Sequence, residues 1–272
     1  MSQSTVSESS SERIGTGLRE IASFAGRDRE RMLSVLHLPT ERARAGVTIA
    51  PSLLTDRIRT YRAEIETARS LAREGIAVHR FDYRGFGQSD EYPASSESMV
   101  DDMKLAVSML ESELDRVPMI SMGVGWGALI AATQDGSDGL VMWEPPTSGK
   151  AYLRAARRAN KIALMGSAGP DAEQQVETEI LGFDISERFR SSAESLDLSD
   201  VEPPPRALWV TTGDKLPTAG DRIVDGWKAS GSEVELATLG TNESWWFIQA
   251  GAIRGGGLFD TTASWIECVV SK

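Results

Sequence analysis

The stretch best able to organise chemistry is Met119-Ile120-Ser121-Met122-Gly123-Val124-Gly125-Trp126-Gly127-Ala128-Leu129-Ile130. An apolar strand runs into a G-x-G-x-G turn and then into an apolar helix. So tight a strand-to-helix turn lifts its central residue to an apex, where a nucleophile can meet a substrate carbonyl. Flanking glycines avoid side-chain clashes, and the apex residue takes strained backbone angles. Here the apex is Gly125. Glycine adopts that conformation without strain, but it brings no hydroxyl, thiol or carboxylate with which to attack. The electrostatic half of such a site survives. The helix after Gly125 aims its amino terminus, with free N–H groups and a partial positive charge, at the pocket. The Trp126 amide occupies one expected oxyanion-donor position, and the loop Pro51-Ser52-Leu53-Leu54 supplies the second. Ser52, Leu53, Gly125 and Trp126 are therefore candidate substrate-binding positions.

Proton transfer is short of candidates. The chain has two histidines, His37 and His79, both inside expected strands and more simply read as core residues than as bases. Asp82 opens a glycine-rich loop, Asp82-Tyr83-Arg84-Gly85-Phe86-Gly87, and is better placed to brace that loop than to react. Glu144 follows a strand end, but Pro145 and Pro146 favour a turn there. Four of the seven tryptophans, Trp126, Trp143, Trp245 and Trp246, map near the carboxyl edge of the expected sheet, where open α/β sheets bind ligands. Core packing explains each one singly; together they favour a large apolar or aromatic ligand. Lys150, Arg154, Arg157, Arg158 and Lys161 crowd one short helix, with spacings that put most of them on one face. Such a face is either simply solvated or a docking surface for an anionic group, such as a carboxylate, a phosphopantetheine arm or an acidic carrier domain.

The elements that must hold these residues alternate. Strands are expected over 18–25, 31–38, 46–50, 76–81, 117–122, 139–143, 206–212 and 233–239. Helices are expected over 57–74, 98–114, 126–133, 221–229 and 259–270. That alternation implies a mostly parallel sheet covered on both faces. Residues 144–205 break it: they read as helical and polar, with no good strand, and as a cap over the sheet's carboxyl edge. The organisation expected is a disordered polar tail (1–13), a core (14–143 and 206–272) and a helical cap (144–205). With 40 acidic against 29 basic residues and a net charge of −11, the chain would repel a phosphate backbone, so nucleic-acid binding is not expected. Cys268 is the single cysteine, which excludes an internal disulfide. No metal or cofactor site, signal peptide or membrane span is evident, which suggests a cytoplasmic protein.

The glycine turn, the loop Asp82-Tyr83-Arg84-Gly85-Phe86-Gly87-Gln88-Ser89 and the strand end Thr211-Thr212-Gly213-Asp214 together resemble the α/β-hydrolase superfamily from about Leu33 onward. A closer resemblance is to serine-aminopeptidase-like hydrolases of the exosortase-associated kind, many of which lack the elbow serine. Val35-Leu36-His37-Leu38-Pro39, Leu140-Val141-Met142-Trp143-Glu144-Pro145, Ser148-Gly149-Lys150-Ala151-Tyr152-Leu153, Leu181-Gly182-Phe183 and Trp245-Trp246 carry it. The resemblance implies an α/β-hydrolase fold with Gly125 at the nucleophile position and Asp214 at the triad acid. Glu243 then falls near the place of the missing histidine. Asp214 is either a base facing the pocket or a turn aspartate, and Glu243 either a replacement base or a surface glutamate.

Three readings follow, in order of preference. The first is non-hydrolytic conversion of an apolar acyl or peptidyl small molecule, by proton abstraction, epimerisation or cyclisation beside a carbonyl. The second is a catalytically inactive binder of a small molecule or carrier-bound acyl ligand. The third is a hydrolase with an unrecognised nucleophile.

Overall fold

The computed structural model of the protein describes residues 7–13, 18–164, 179–180, 182–212, 216–240 and 256–271. Nine strands form one sheet: β1 (Ser7–Arg13), β2 (Leu18–Arg27), β3 (Glu30–Pro39), β4 (Ala45–Ala50), β5 (Ile76–Phe81), β6 (Met119–Val124), β7 (Gly139–Trp143), β10 (Arg206–Thr212) and β11 (Glu233–Leu239). Their order is β1-β2-β3-β5-β4-β6-β7-β10-β11. The pairs from β5 through β11 are parallel, whereas β1/β2, β2/β3 and β3/β5 are antiparallel. β4, β5 and β7 are buried along their whole length. Their continuous apolar runs suit strands covered on both faces.

Helices fill the two outer layers. On one face lie α1 (Leu54–Arg73) and the closing helix α7 (Gly256–Val270), burying Ala63, Ala68 and Leu71 with Leu258, Trp265 and Ile266 against β4 to β10. On the other lie α2 (Ser96–Glu113), α3 (Trp126–Ala132) and α6 (Thr218–Ala229). Between β7 and β10 the chain inserts α4 (Gly149–Leu164), a two-stranded hairpin of β8 (Glu179–Ile180) and β9 (Phe183–Asp184), and α5 (Glu187–Glu194). This insertion joins the second layer: Tyr152, Leu153, Ile180 and Phe189 share a core with Trp126, Leu129 and Met99.

Element ends shift by up to three residues from the sequence expectation, and three local differences have a clear physical reason. Ser7–Arg13 pairs with β2 as an added edge strand where a tail was expected, since main-chain pairing needs no apolar side chains. The inserted segment, expected to hold no strand, contains the β8/β9 hairpin, whose two-residue arms are too short to show alternation. Helix α2 begins at Ser96, two residues before the apolar spacing starts, because Ser95 caps it. Ser95 Oγ accepts from the Ser98 amide at 3.2 Å, and Ser98 Oγ accepts from the Ser95 amide at 2.9 Å. No helix among the described residues is long and apolar enough to cross a membrane.

Candidate functional site

The strand-to-helix turn is built as its glycines require. Gly125 has φ 53° and ψ −118°, a left-handed conformation that strains any L side chain. The Gly125 amide donates to Trp143 O at 2.8 Å, tying the apex to the end of β7. A Cβ on Gly127 would stand 2.0 Å from Ala50 O, so α3 runs directly against the end of β4. The apex thus lies at the carboxyl ends of adjoining parallel strands, with the helix amino terminus behind it. This is the architecture of a nucleophile elbow.

The family model described as serine aminopeptidase, S33, matches residues 57–179. The chain has the α/β-hydrolase fold. Solved structures of similar fold include Est1E from Butyrivibrio proteoclasticus, at 14% identity and TM-score 0.62, covering 92% of this chain and 99% of that one. A thermostable carboxyl esterase from Bacillus coagulans, in complex with glycerol, gives 10% identity and TM-score 0.62 over 94% and 100% of the two chains. XC6422 from Xanthomonas campestris, an α/β serine hydrolase without lid, gives 14% identity and TM-score 0.57 over 95% of each chain. At these identities the likeness establishes the fold. No curated protein matches the chain by sequence.

Around the elbow, the space a nucleophile would use is taken. A Cβ built on Gly125 would lie 2.7 Å from Ser52 Oγ. Ser52 is 1% exposed, and its hydroxyl has no hydrogen-bond partner. The Tyr152 hydroxyl donates to Leu53 O at 2.9 Å and stands beside the Ser52 hydroxyl. Burial holds the Tyr152 phenol well above its ordinary pKa, so it stays protonated. Trp126 is fully buried, its ring 5.4 Å from those of Tyr152 and Phe189, and its Nε1 donates to Met99 Sδ at 3.2 Å. These rings close the second layer over the elbow. Of the expected substrate-binding residues, Ser52, Leu53, Gly125 and Trp126 come together here.

Trp143 does not join them. Its ring lies in the other layer, 6.2 Å from Phe259, with Nε1 donating to Thr262 Oγ1 at 3.0 Å. Side chains alternate along β7, and position 143 faces α7. Asp214, Glu243, Trp245 and Trp246 lie outside the described residues. Glu144 turns away with φ 47°, and its carboxylate accepts from the Thr212 amide and hydroxyl and from Thr211 Oγ1, clasping the end of β10.

Neither histidine approaches the elbow. His79 accepts from Ser34 Oγ at 2.5 Å through Nε2 and donates from Nδ1 to Ala106 O at 2.7 Å. Wholly buried, it has its pKa lowered to about 4. His37 accepts from Arg80 Nε at 3.0 Å, which leaves its Nδ1–H facing Glu20 at 2.8 Å. Burial, and then the Arg80 charge, lower its pKa to about 3. Both are neutral, partnered core residues between β3 and β5.

A cleft of about 210 Å³ opens beside the Ser52 loop, between Leu53, Leu54, Ile58, Tyr83, Phe86 and Phe183. Its polar rim is Ser52, Arg57 and Asp82. Arg57 is committed at 2.5 Å both to Glu64 and to Asp82. Burial alone would lower its pKa, but the two carboxylates hold it above the ordinary value. Asp82 also accepts from the Gln88 amide at 3.0 Å, bracing the glycine-rich loop. Nothing in the sequence's spacing pointed to Arg57 or Tyr152. They reach the site through the first turn of α1 and the inserted α4, contacts that only the tertiary fold creates.

Proposed function

We propose that this protein is a non-hydrolytic α/β-hydrolase-fold protein, which binds an apolar, acyl-type small molecule in the cleft beside the vacated elbow. One observation carries the reading: Gly125 offers no nucleophile, and the volume its side chain would need is already held by Ser52 Oγ, 2.7 Å from the Cβ position. The rest agrees. A Ser–His–acid relay needs an imidazole at the hydroxyl, and the chain's only two histidines are both paired inside the sheet. The proton-abstraction reading needs a free carboxylate at the ligand. Asp82, the carboxylate on the described cleft, is bound to Arg57 and the Gln88 amide. Asp82 is the one carboxylate among the residues that line the described cleft, which favours a binder.

The basic face of α4 adds a docking surface for an anionic or acidic carrier of such a ligand. Lys150, Arg154, Arg158 and Lys161 are exposed along one face, while Arg157 turns partly inward. The test combines a fluorophosphonate probe, short-chain ester turnover and native mass spectrometry of the purified protein. The expected result is no covalent labelling, no turnover above buffer and a bound small molecule. Stoichiometric labelling of any serine would overturn the reading.

A further inference from the structure

Away from the elbow, at the amino ends of the strands, the second layer leaves part of β6 and β7 uncovered. Helix α3 has seven residues and ends at Ala132. It therefore rises roughly 10 Å, about half of the roughly 20 Å that a strand as long as β6 spans. The uncovered half is a groove of about 630 Å³. Its floor is Ser121 and Leu140; one wall is the exit from α3, residues 133–137, and the other is the segment 200–205 that leads into β10. Ile120, Met122 and Val124 pack into the opposite layer, so alternation along β6 turns Ser121 towards this groove. Leu140 and Ala207, which continue the same row across the sheet, are apolar. Ser121 is 3% exposed, and among the described residues its hydroxyl has no hydrogen-bond partner. Only its amide is engaged, donating to Ser137 Oγ at 3.0 Å. The neighbouring hydroxyls are spent: Ser137 Oγ shares its proton between Met119 O and Gly139 O, and Thr133 Oγ1 donates to Ile130 O at 2.8 Å. A buried hydroxyl that lines an open groove and pairs with nothing is a polar group that the fold does not use.

The walls determine what that hydroxyl can meet. Asp135, Asp200 and Glu202 are exposed along the groove, and no Lys, Arg or His lines it. Pro203, Pro204 and Pro205 have no N–H, so that stretch presents no backbone donor. Arg206, next in the chain, is held by Glu233 at 3.4 Å. Such a lining repels anions and attracts a cation that donates hydrogen bonds. The carboxylates do not converge on one point: among the described residues, no three His, Cys, Asp or Glu side chains are grouped so as to hold a metal ion. Separated acceptors with apolar surface between them match charges strung along a hydrocarbon chain. We propose that the groove is a binding site for a linear aliphatic polyamine, whose ammonium groups lie on Asp135, Asp200 and Glu202 while Ser121 Oγ accepts from a nitrogen at the floor and the methylenes cover Leu140 and the prolines. The volume of about 630 Å³ lies within the range of small-ligand sites. The site stands at the opposite ends of the strands from Gly125 and is independent of the cleft beside the elbow.

The experiment is isothermal titration calorimetry of the full chain at physiological ionic strength, with spermidine, hexylamine and magnesium chloride as probes. The expected result is saturable binding of one spermidine per chain with a dissociation constant below about 1 mM. Hexylamine, with a single charge, binds about tenfold more weakly, and magnesium neither saturates nor displaces spermidine. Asp200→Asn combined with Glu202→Gln weakens spermidine about tenfold. Ser121→Ala, which removes the hydroxyl at the floor, weakens it about threefold. Glu111→Gln combined with Glu113→Gln makes the same change of net charge at exposed positions of α2 that do not line the groove, and it leaves the affinity within about twofold. Asp200 and Glu202 are exposed, so their variant tests the site whatever Ser121→Ala does to folding. No saturable spermidine binding, displacement of spermidine by equimolar magnesium, or equal weakening by the two charge-removing pairs would overturn the site and leave a diffuse counterion. A folded Ser121→Ala protein of unaltered affinity would overturn it too.

Discussion

Restoring a serine at the elbow should cost stability through a contact that a second substitution removes. In Gly125→Ser the new Cβ adopts φ 53° and ψ −118°, a strain of about 1–3 kcal/mol for a non-glycine residue. It also meets Ser52 Oγ at 2.7 Å, and crowding of that kind in a packed interior costs about another 1–3 kcal/mol. Ser52→Ala acts in the opposite direction. It deletes a buried, unpaired hydroxyl and should stabilise the free protein by about 1–2 kcal/mol. In the double variant the nearest atom to the new Cβ becomes the residue 52 Cβ, 3.6 Å away and in ordinary contact. The crowding then disappears and only the backbone strain remains. The double variant should therefore be more stable than the sum of the single changes predicts, by about the crowding term of 1–3 kcal/mol. Urea unfolding of the four proteins, with m-values compared to check that the transition is unchanged, measures this directly. Additivity within about 0.5 kcal/mol would mean that Ser52 does not occupy the nucleophile's space. A coupling of the opposite size, with the two serines destabilising each other less than expected, would mean that they hydrogen-bond. None of the four should hydrolyse esters, since no imidazole stands nearby.

Three further outcomes are expected. His37 and His79 have folded pKa values of about 3 and about 4, below the unfolded value of about 6.5, so acid protonates the unfolded chain first. Stability is then complete above about pH 6.5 and falls as pH drops towards the folded values, by up to about 1.4 kcal/mol per pH unit for each histidine; a calorimetric series should show this, His37→Gln should halve the slope near pH 5.5, and a flat profile would contradict both assignments. Gly127→Ala drives a Cβ to 2.0 Å from Ala50 O and should abolish soluble folded protein, whereas Gly226→Ala, in α6 with nothing within 4 Å, should raise stability by about 0.5–1 kcal/mol; similar melting temperatures for the two would show that the elbow packing is wrong. Reversing Arg154 and Arg158 together should weaken binding of an acidic carrier domain and flatten its salt dependence, and an unchanged dissociation constant at low salt would leave that face merely solvated.

What the sequence revealed tracks how local each determinant is. Ile76–Phe81, Gly139–Trp143 and Arg206–Thr212 stand where the apolar runs and flanking turns place them, because a strand covered on both faces is apolar along its buried length, whereas the edge strand Glu233–Leu239 alternates and is mostly exposed. The elbow was legible for the same reason: a G-x-G-x-G between strand and helix is a local steric requirement. Trp143 stands at the carboxyl end of its strand as expected, but proximity to a strand's end does not fix which side of the sheet a ring occupies. That depends on register, which puts Trp143 opposite Val210 and Val124 and turns its ring towards α7. The significance of Ser52 was only half visible. Its position on the donor loop follows from the strand before it, but its hydroxyl's approach to Gly125 depends on the close contact of α3 with β4.

The elbow separates two requirements that a functional nucleophile fuses. Gly123 and Gly127 serve packing: added Cβ atoms would lie 2.3 Å from Gly127 O and 2.0 Å from Ala50 O respectively. The fold needs both whether or not any chemistry occurs. The apex serves chemistry alone, and a serine there is held in a strained conformation that the surrounding structure must offset. Replacing it by glycine relieves the strain at no cost to the turn, and the freed volume admits a neighbouring side chain. In this chain that neighbour is a buried hydroxyl, a poor choice for stability. An apolar residue at position 52 would have filled the same space and contributed burial instead. The presence of serine there is thus a feature that stability alone does not explain.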